Sequence, residues 1–265
     1  MSTADNISRR STLLAALPQG SRDVLSAHLE PITCELRRQL FGSGEPMRFV
    51  YFPTSGWASM IQRLSDGRAA EVGLVGREGM VGLPVLLGDD ISYEDVVVQA
   101  PGVMLRIPTE TFRDVLQRDT TVQQHLMRYA LVFQHMTAQT AACNSNHGLE
   151  QRMARWLLMA HDRADGDEFP MTQEFLAMML AVHRPGVNIT ARLFQQAGLI
   201  RYNNGHIRVT DRLGLEASVC ECHAAVQGQF ERLLSPTRAP AQIAQALGRR
   251  ASPGPLKSAG DPLSD

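Results

Sequence analysis

One stretch of this chain leaves little freedom in what it can fold into. From Val122 the apolar residues run Val122, Leu126, Tyr129, Phe133, Met136, Thr140 and Cys143, with spacings that alternate four and three. That is a heptad seam of about three repeats, the period with which one α-helix packs along another. A helix lying on its own barrel satisfies the same period, but the length and narrowness of the stripe point to a partner helix. Val122, Leu126, Tyr129, Phe133, Met136 and Thr140 are therefore the expected dimerisation residues, while Gln123, Gln124, Arg128, Gln134 and Gln139 fill the other faces. Upstream, Thr109 follows Pro108 as an expected N-cap, with Phe112, Val115 and Leu116 behind it, so the long helix is assigned to 109–145.

The texture differs on either side. Between Leu36 and Ile107 short apolar runs such as Met47–Phe52 and Val96–Val98 alternate with turn clusters, among them Asp66-Gly67 and Pro101-Gly102. Short strands at intervals of roughly 8–12 residues read as a small antiparallel barrel or sandwich. Short helices are expected before it, around Leu13–Leu17 and Ser21–Leu29, so 1–108 forms one unit. Beyond the long helix, Leu149–His161 is amphipathic, Phe169-Pro170-Met171 breaks it, and Thr172 caps a short helix over Gln173–Leu180. A third helix from Arg184 to Ala197 ends at Gly198, and two apolar strands flank Asn204-Gly205, a strong hairpin signal. Helix, helix, turn, helix, hairpin over 146–234 is the order of a winged helix-turn-helix. The remainder, 235–265, is rich in Pro, Ala, Gly and Ser without a period, and reads as a disordered tail.

Composition narrows the class. The 265 residues carry 26 basic and 27 acidic side chains, with 44% hydrophobic residues, as in an ordinary globular protein. No apolar run approaches the ~18 residues of a membrane span. Four cysteines, Cys34, Cys143, Cys220 and Cys222, are too few for a disulfide framework in a chain this long, so a reducing cytoplasm is expected. The balanced total, taken alone, argues against nucleic acid. Segregation reverses that inference, because no acidic residue stands between Glu174 and Asp211 while Arg184, Arg192, Arg201, Arg208, His183 and His206 do. On the third helix Val187, Ala191 and Phe194 mark the core side, and Arg184, Asn188 and Arg192 lie at i, i+4 and i+8 on another. Arginine bonds guanine bidentately and asparagine bonds adenine, so that side could read a major groove as well as grip its backbone. A plain solvated helix face explains the arginines, but not their coincidence with the spacing and the hairpin.

The whole order resembles the Crp/Fnr superfamily. The likeness rests on Gly79-Met80-Val81-Gly82, the heptad helix, Met171-Thr172-Gln173-Glu174-Phe175-Leu176 leading to His183-Arg184, and Ala197-Gly198-Leu199-Ile200. It implies an α+β fold with an N-terminal antiparallel β-roll of the cyclic-nucleotide-binding jelly-roll kind, a long dimerisation helix and a C-terminal winged helix-turn-helix. It further implies a bacterial, homodimeric transcription regulator that binds double-stranded DNA at a palindromic operator and works with RNA polymerase. Thr172, Gln173, His183, Arg184, Asn188, Arg192, Arg201 and Arg208 are the expected DNA-binding residues, and Arg184 falls where the family places a base-contacting arginine.

Two departures stand out. Pro185 follows that arginine where an acid is common, which costs the helix nothing in its first turn. Cyclic-AMP binders of the family hold the ribose with a glutamate just after the glycine matched by Gly82, and the phosphate with a later arginine. Here Leu83-Pro84 follows the glycine, and 89–95 carries four carboxylates and no base. Such a segment repels a phosphate, so cyclic AMP is not the expected effector and the ligand residues are left unassigned. The run Cys220-Glu221-Cys222-His223 lacks the spacing of a structural zinc pair and has no second pair nearby in sequence, so neither metal nor cofactor is expected. His125, His135 and His147 fall on or just beyond the long helix, and His125 and His135 are read as flanking the seam rather than binding haem. No nucleophile elbow, phosphate loop or metalloprotease helix appears, which argues against an enzyme. The rival reading is a cyclic-nucleotide-type ligand-binding module with no DNA role, against which the acid-free segment counts.

Overall fold

A computed structural model of the chain describes residues 8–234; the expected tail at 235–265 lies outside the described residues. Short strands and tight turns close the first half into two antiparallel sheets. One is ordered β1 (Glu30–Cys34), β7 (Gly102–Pro108), β3 (Phe49–Pro53), and the other β2 (Gln39–Phe41), β6 (Asp95–Ala100), β4 (Trp57–Arg63), β5 (Ala69–Val75). The β4–β5 hairpin turns at Asp66-Gly67, where Gly67 takes φ +86°. Helices α1 (Thr12–Ala15) and α2 (Gln19–Ser26) precede this roll, and α3 (Leu83–Leu87) lies between β5 and β6. Large side chains including Phe52, Met80 and Met104 fill the interior.

The expected continuous helix over 109–145 is two helices, α4 (Thr109–Arg118) and α5 (Thr120–Asn146). Asp119 separates them in an extended conformation, and its carboxylate restarts the helix by accepting from the N–H groups of Thr121 (2.9 Å) and Val122 (3.1 Å). Thr109 is not a cap. It is the first residue of α4, and its buried hydroxyl donates to the Met47 carbonyl.

The heptad seam needs a larger correction. Val122, Leu126, Tyr129, Phe133 and Met136 are buried within this one chain, and Thr140 is half-buried. Two glycines explain why. A Cβ on Gly73 of β5 would come within 2.5 Å of the Phe133 ring, and one on Gly79 would overlap the Tyr129 hydroxyl. Lacking side chains there, the roll lets the aromatic seam sit directly on its backbone, so these residues do not await a partner helix. What α5 leaves exposed is a second stripe, Met127, Leu131, Gln134, Ala138 and Ala141, again spaced four and three. Met127 is 46% and Leu131 52% exposed, and the two stand one helical turn apart on the same stripe.

The second half runs α6 (Leu149–His161), β8 (Glu168–Pro170), α7 (Gln173–Met179), α8 (Arg184–Gln196), β9 (Ile200–Asn203) and β10 (His206–Val209). The wing has three strands, ordered β8-β10-β9, so the segment around Phe169, read from sequence only as a break, supplies an edge strand. Asn204 and Gly205 both take positive φ (+47° and +76°), as a two-residue hairpin turn demands. Helix α9 (Arg212–Ser218) then leads to α10 (Cys222–Leu234), which packs back along α5.

Candidate nucleic-acid interface

Helix α7 begins where the Thr172 hydroxyl accepts from the Phe175 N–H at 3.1 Å. It ends in a turn in which Ala181 takes φ +50°, a left-handed conformation that favours glycine. His183 then precedes α8, and Arg184-Pro185 opens it. Val187, Thr190, Ala191 and Phe194 are buried, which points Arg184, Pro185, Ile189, Arg192, Leu193 and Gln196 outward. Among the described residues neither Arg184, Arg192 nor Arg201 has an ion-pair partner, so three cationic groups on α8 and β9 face solvent. The Gln195 side chain accepts from the Tyr202 N–H at 3.0 Å, holding the wing against α8.

Three expected residues sit differently from a free reading face. Asn188 is half-buried, and its Oδ1 is buried without a hydrogen-bond partner among the described residues. Ile189, one position on, takes the exposed place. Arg208 is paired across the wing with Glu168 at 2.7 Å, an acid just outside the acid-free segment that strand pairing brings opposite it. The wing therefore carries less net charge than its sequence suggested. Gln173 is half-buried, whereas Thr172 and His206 are exposed beside a groove between the wing and the roll edge at Leu36, Arg37 and Val97.

The winged helix is docked on the roll through a buried polar contact. Glu71 of β5 accepts from Trp156 Nε1 of α6 at 2.9 Å and from the Ser59 hydroxyl at 2.6 Å. Burial pushes its carboxyl up to about 7, although those hydrogen bonds and the Arg163 and Arg155 charges pull the other way. Trp57 of the roll meets Phe169 of the wing edge-on, with ring centroids 5.9 Å apart.

In the roll, Gly82 takes φ +109° at the start of α3, and Leu83 is buried behind it. The acidic segment is partly neutralised: Asp95 pairs with Arg63 at 2.5 Å and Asp90 with Arg113 at 3.4 Å. Both arginines come from outside the segment, so "no base nearby" held along the sequence but not in space. They are engaged with carboxylates, and Asp89 and Glu94 have no cationic ion-pair partner among the described residues.

All four cysteines are buried, but three of them do not lie apart. Cys34 lies alone in the roll, whereas the ligand atoms of Cys143, His147, Cys220 and Cys222 all lie within 4.8 Å of one another. Cys143 and His147 are one turn apart at the end of α5, and Cys220 and Cys222 flank the start of α10. The second pair missing along the sequence is supplied by a helix 77 residues away.

Known proteins carry the same two parts in the same order. Residues 35–119 match the family model of the cyclic nucleotide-binding domain, and residues 151–218 match that of the Crp-like helix-turn-helix domain. No curated protein sequence matches the chain. FixK2 from Bradyrhizobium japonicum is 15% identical with a TM-score of 0.63, over 72% of this chain and 98% of its own. A CRP-family transcriptional regulator from Thermus thermophilus is 18% identical with a TM-score of 0.61, over 71% and 95%. The c-di-GMP-responsive global regulator CLP of Xanthomonas campestris is 16% identical with a TM-score of 0.60, over 73% and 100%. At such identities these structures speak for the fold, while the two family matches, together spanning more than half of the sequence, speak for descent. Roll, long helix and winged helix in this order make the chain a member of the Crp/Fnr family of DNA-binding transcription regulators.

Proposed function

We propose that α8 enters the major groove, with Arg184 and Arg192 as its principal cationic contacts and Arg201 on adjacent phosphates. The observation that carries this reading is the exposure of Arg184, Arg192 and Arg201 on α8 and β9, with no ion-pair partner among the described residues. Thr172, Gln173 and His183 stand at the starts of α7 and α8, while Asn188 and Arg208 would have to leave their present environments to reach DNA. Exposed Ile189 and Leu193 are suited to thymine methyl groups. A gel shift on fragments of the protein's own promoter region tests the assignment. Arg184→Ala should weaken the specific complex by about 1–3 kcal/mol while changing random-sequence binding less. Equal weakening on both would remove Arg184 from base reading.

The regulator acts as a homodimer on a palindromic operator, its half-sites about one helical turn (~34 Å) apart. Its partner contact is the exposed stripe of α5 through Met127, Leu131 and Ala138, since the buried seam is spent on the roll. At the promoter its protein partner is RNA polymerase, and its role is regulatory rather than catalytic. No described helix is long and apolar enough to cross a membrane, which agrees with a cytoplasmic site of action.

The roll is the sensory part, and its effector is not cyclic AMP bound in the usual family manner. Leu83 and Pro84 stand where the ribose-binding acid belongs, and the arginines near 89–95 are held by Asp90 and Asp95. Isothermal calorimetry should show no micromolar binding of a 3′,5′-cyclic nucleotide; saturable binding in that range would overturn the reading.

A further inference from the structure

We propose that Cys143, His147, Cys220 and Cys222 bind a single zinc ion that closes the base of the winged-helix domain. Tetrahedral zinc holds sulfur at about 2.3 Å and imidazole nitrogen at about 2.0–2.1 Å, which sets neighbouring ligand atoms roughly 3.5–3.8 Å apart. Here Cys143 Sγ lies 3.6 Å from Cys220 Sγ, and Cys222 Sγ lies 3.5 Å from His147 Nδ1. Three thiols and one imidazole are a complete structural zinc set. They come from two local devices, a Cys–His pair one helical turn apart and a Cys-x-Cys turn.

The surroundings suit an ion as well as the ligands do. His147 turns its other nitrogen, Nε2, toward Glu221 at 3.4 Å, the carboxylate–imidazole arrangement that orients a metal-binding histidine. The Gln139 amide donates to Cys222 Sγ at 3.0 Å. Zinc with three thiolates and a neutral imidazole carries one net negative charge. The buried Arg155, whose charge acts on Cys143, offsets it. Binding releases the three thiol protons to solvent and involves no redox step.

Other occupants fit less well. A Cys143–Cys220 disulfide would have to close from 3.6 Å to about 2.05 Å, and it would leave Cys222, His147 and their partners without a role. An iron–sulfur cluster holds its ligands apart by the width of the cluster, which four atoms within 4.8 Å of one another do not allow.

Placement gives the site its consequence. Cys143 and His147 stand where the chain leaves α5, and Cys220 and Cys222 stand where it returns in α10, so the winged helix is a loop pinned at both ends. A cross-link over 77 residues removes much of the unfolded chain's freedom and fixes the DNA-binding domain relative to α5. The metal site is independent of which residues contact DNA.

The test is elemental analysis of the full-length protein purified under reducing conditions. Wild type and Cys34→Ser should each retain about one zinc per chain, and Cys143→Ser, Cys220→Ser and Cys222→Ser should lose most of it. Cobalt substitution of the wild type should produce the visible ligand-field bands of a tetrahedral thiolate site, a readout that survives if the serine variants fail to fold. Stripping the zinc should expose three further thiols to a reagent and lower Tm, with recovery on adding zinc back. Wild type that takes up neither zinc nor cobalt, or that contains iron and sulfide, would overturn the assignment. So would a Cys143–Cys220 disulfide in the freshly isolated protein.

Discussion

The two faces of α5 follow the same four-three spacing and do opposite work. The inner face carries Val122, Leu126, Tyr129, Phe133 and Met136, all buried, with Tyr129 and Phe133 filling the space above Gly79 and Gly73 of the roll. The outer face carries Met127, Leu131, Gln134, Ala138 and Ala141, mostly small or flexible, with the two large apolar members about half exposed. Volume rather than period separates them. Backbone bare of side chains at Gly73 and Gly79 takes aromatic rings, while a close approach between two helices is eased by alanine and leucine at successive contact positions. A heptad therefore announces that a helix has a neighbour on that side without saying which molecule the neighbour belongs to.

The sharpest way to break this distinction is to empty the inner face. Phe133→Ala should cost about 3–5 kcal/mol of folding stability, read by chemical denaturation, because Gly73 offers no side chain to collapse into the space. A cost under about 1 kcal/mol would mean that the seam is not packed on the roll. The next largest effect belongs to the outer face. Leu131→Glu should leave the far-UV circular dichroism of the folded chain unchanged while light scattering shows dimer giving way to monomer, with stability falling only by the share that association supplied. An unchanged oligomer would move the partner contact elsewhere. DNA binding sharpens the same comparison: the loss from Arg184→Ala, about 1–3 kcal/mol on specific DNA, should appear in the dimer and shrink in the Leu131→Glu background, where half-sites are bound singly.

The inner side also predicts a pH dependence. Glu71 titrates near pH 7 when folded against 4.5 when exposed, so its contribution is complete below pH 4.5 and is lost as pH rises through 7. Glu71→Gln keeps an acceptor for Trp156 and removes that titration. The Tm difference between variant and wild type should therefore move in favour of the variant from pH 4.5 to above 7, and a constant difference would refute the buried-acid reading. The smallest effect concerns the turn between α7 and α8. Ala181→Gly relieves a left-handed alanine and should be neutral or stabilising by up to about 1 kcal/mol, with DNA affinity retained.

Much of the fold was legible because its signals are local. Asp66-Gly67 and Asn204-Gly205 mark hairpins through the φ values they tolerate, Thr172 marks a helix start through its hydroxyl, and α6 appears with the bounds its amphipathic pattern implied. The interruption at Asp119 was also a local signal, an acid able to cap, hidden inside an otherwise continuous helical pattern. Edge strand β8 was harder to see, since three residues ending in proline have no period of their own. Of the expected DNA-facing residues, Arg184, Arg192 and Arg201 are exposed without an ion-pair partner among the described residues, whereas Asn188 turned half inward by a rotation too small for a spacing rule to resolve.

The sequence by itself determined the order of elements, the turns, and the acid-free arginine segment, because each depends on residues within about a helical turn or a hairpin of one another. Only the tertiary structure decided which α5 stripe the roll would absorb, that Glu168 would neutralise Arg208, and that Cys143 and His147 would meet Cys220 and Cys222. Those outcomes depend on how distant segments are brought together, and a pairing between residues 77 apart leaves no mark on the spacing of either half. Local rules report which faces a chain offers, and the path of the folded backbone decides what meets them.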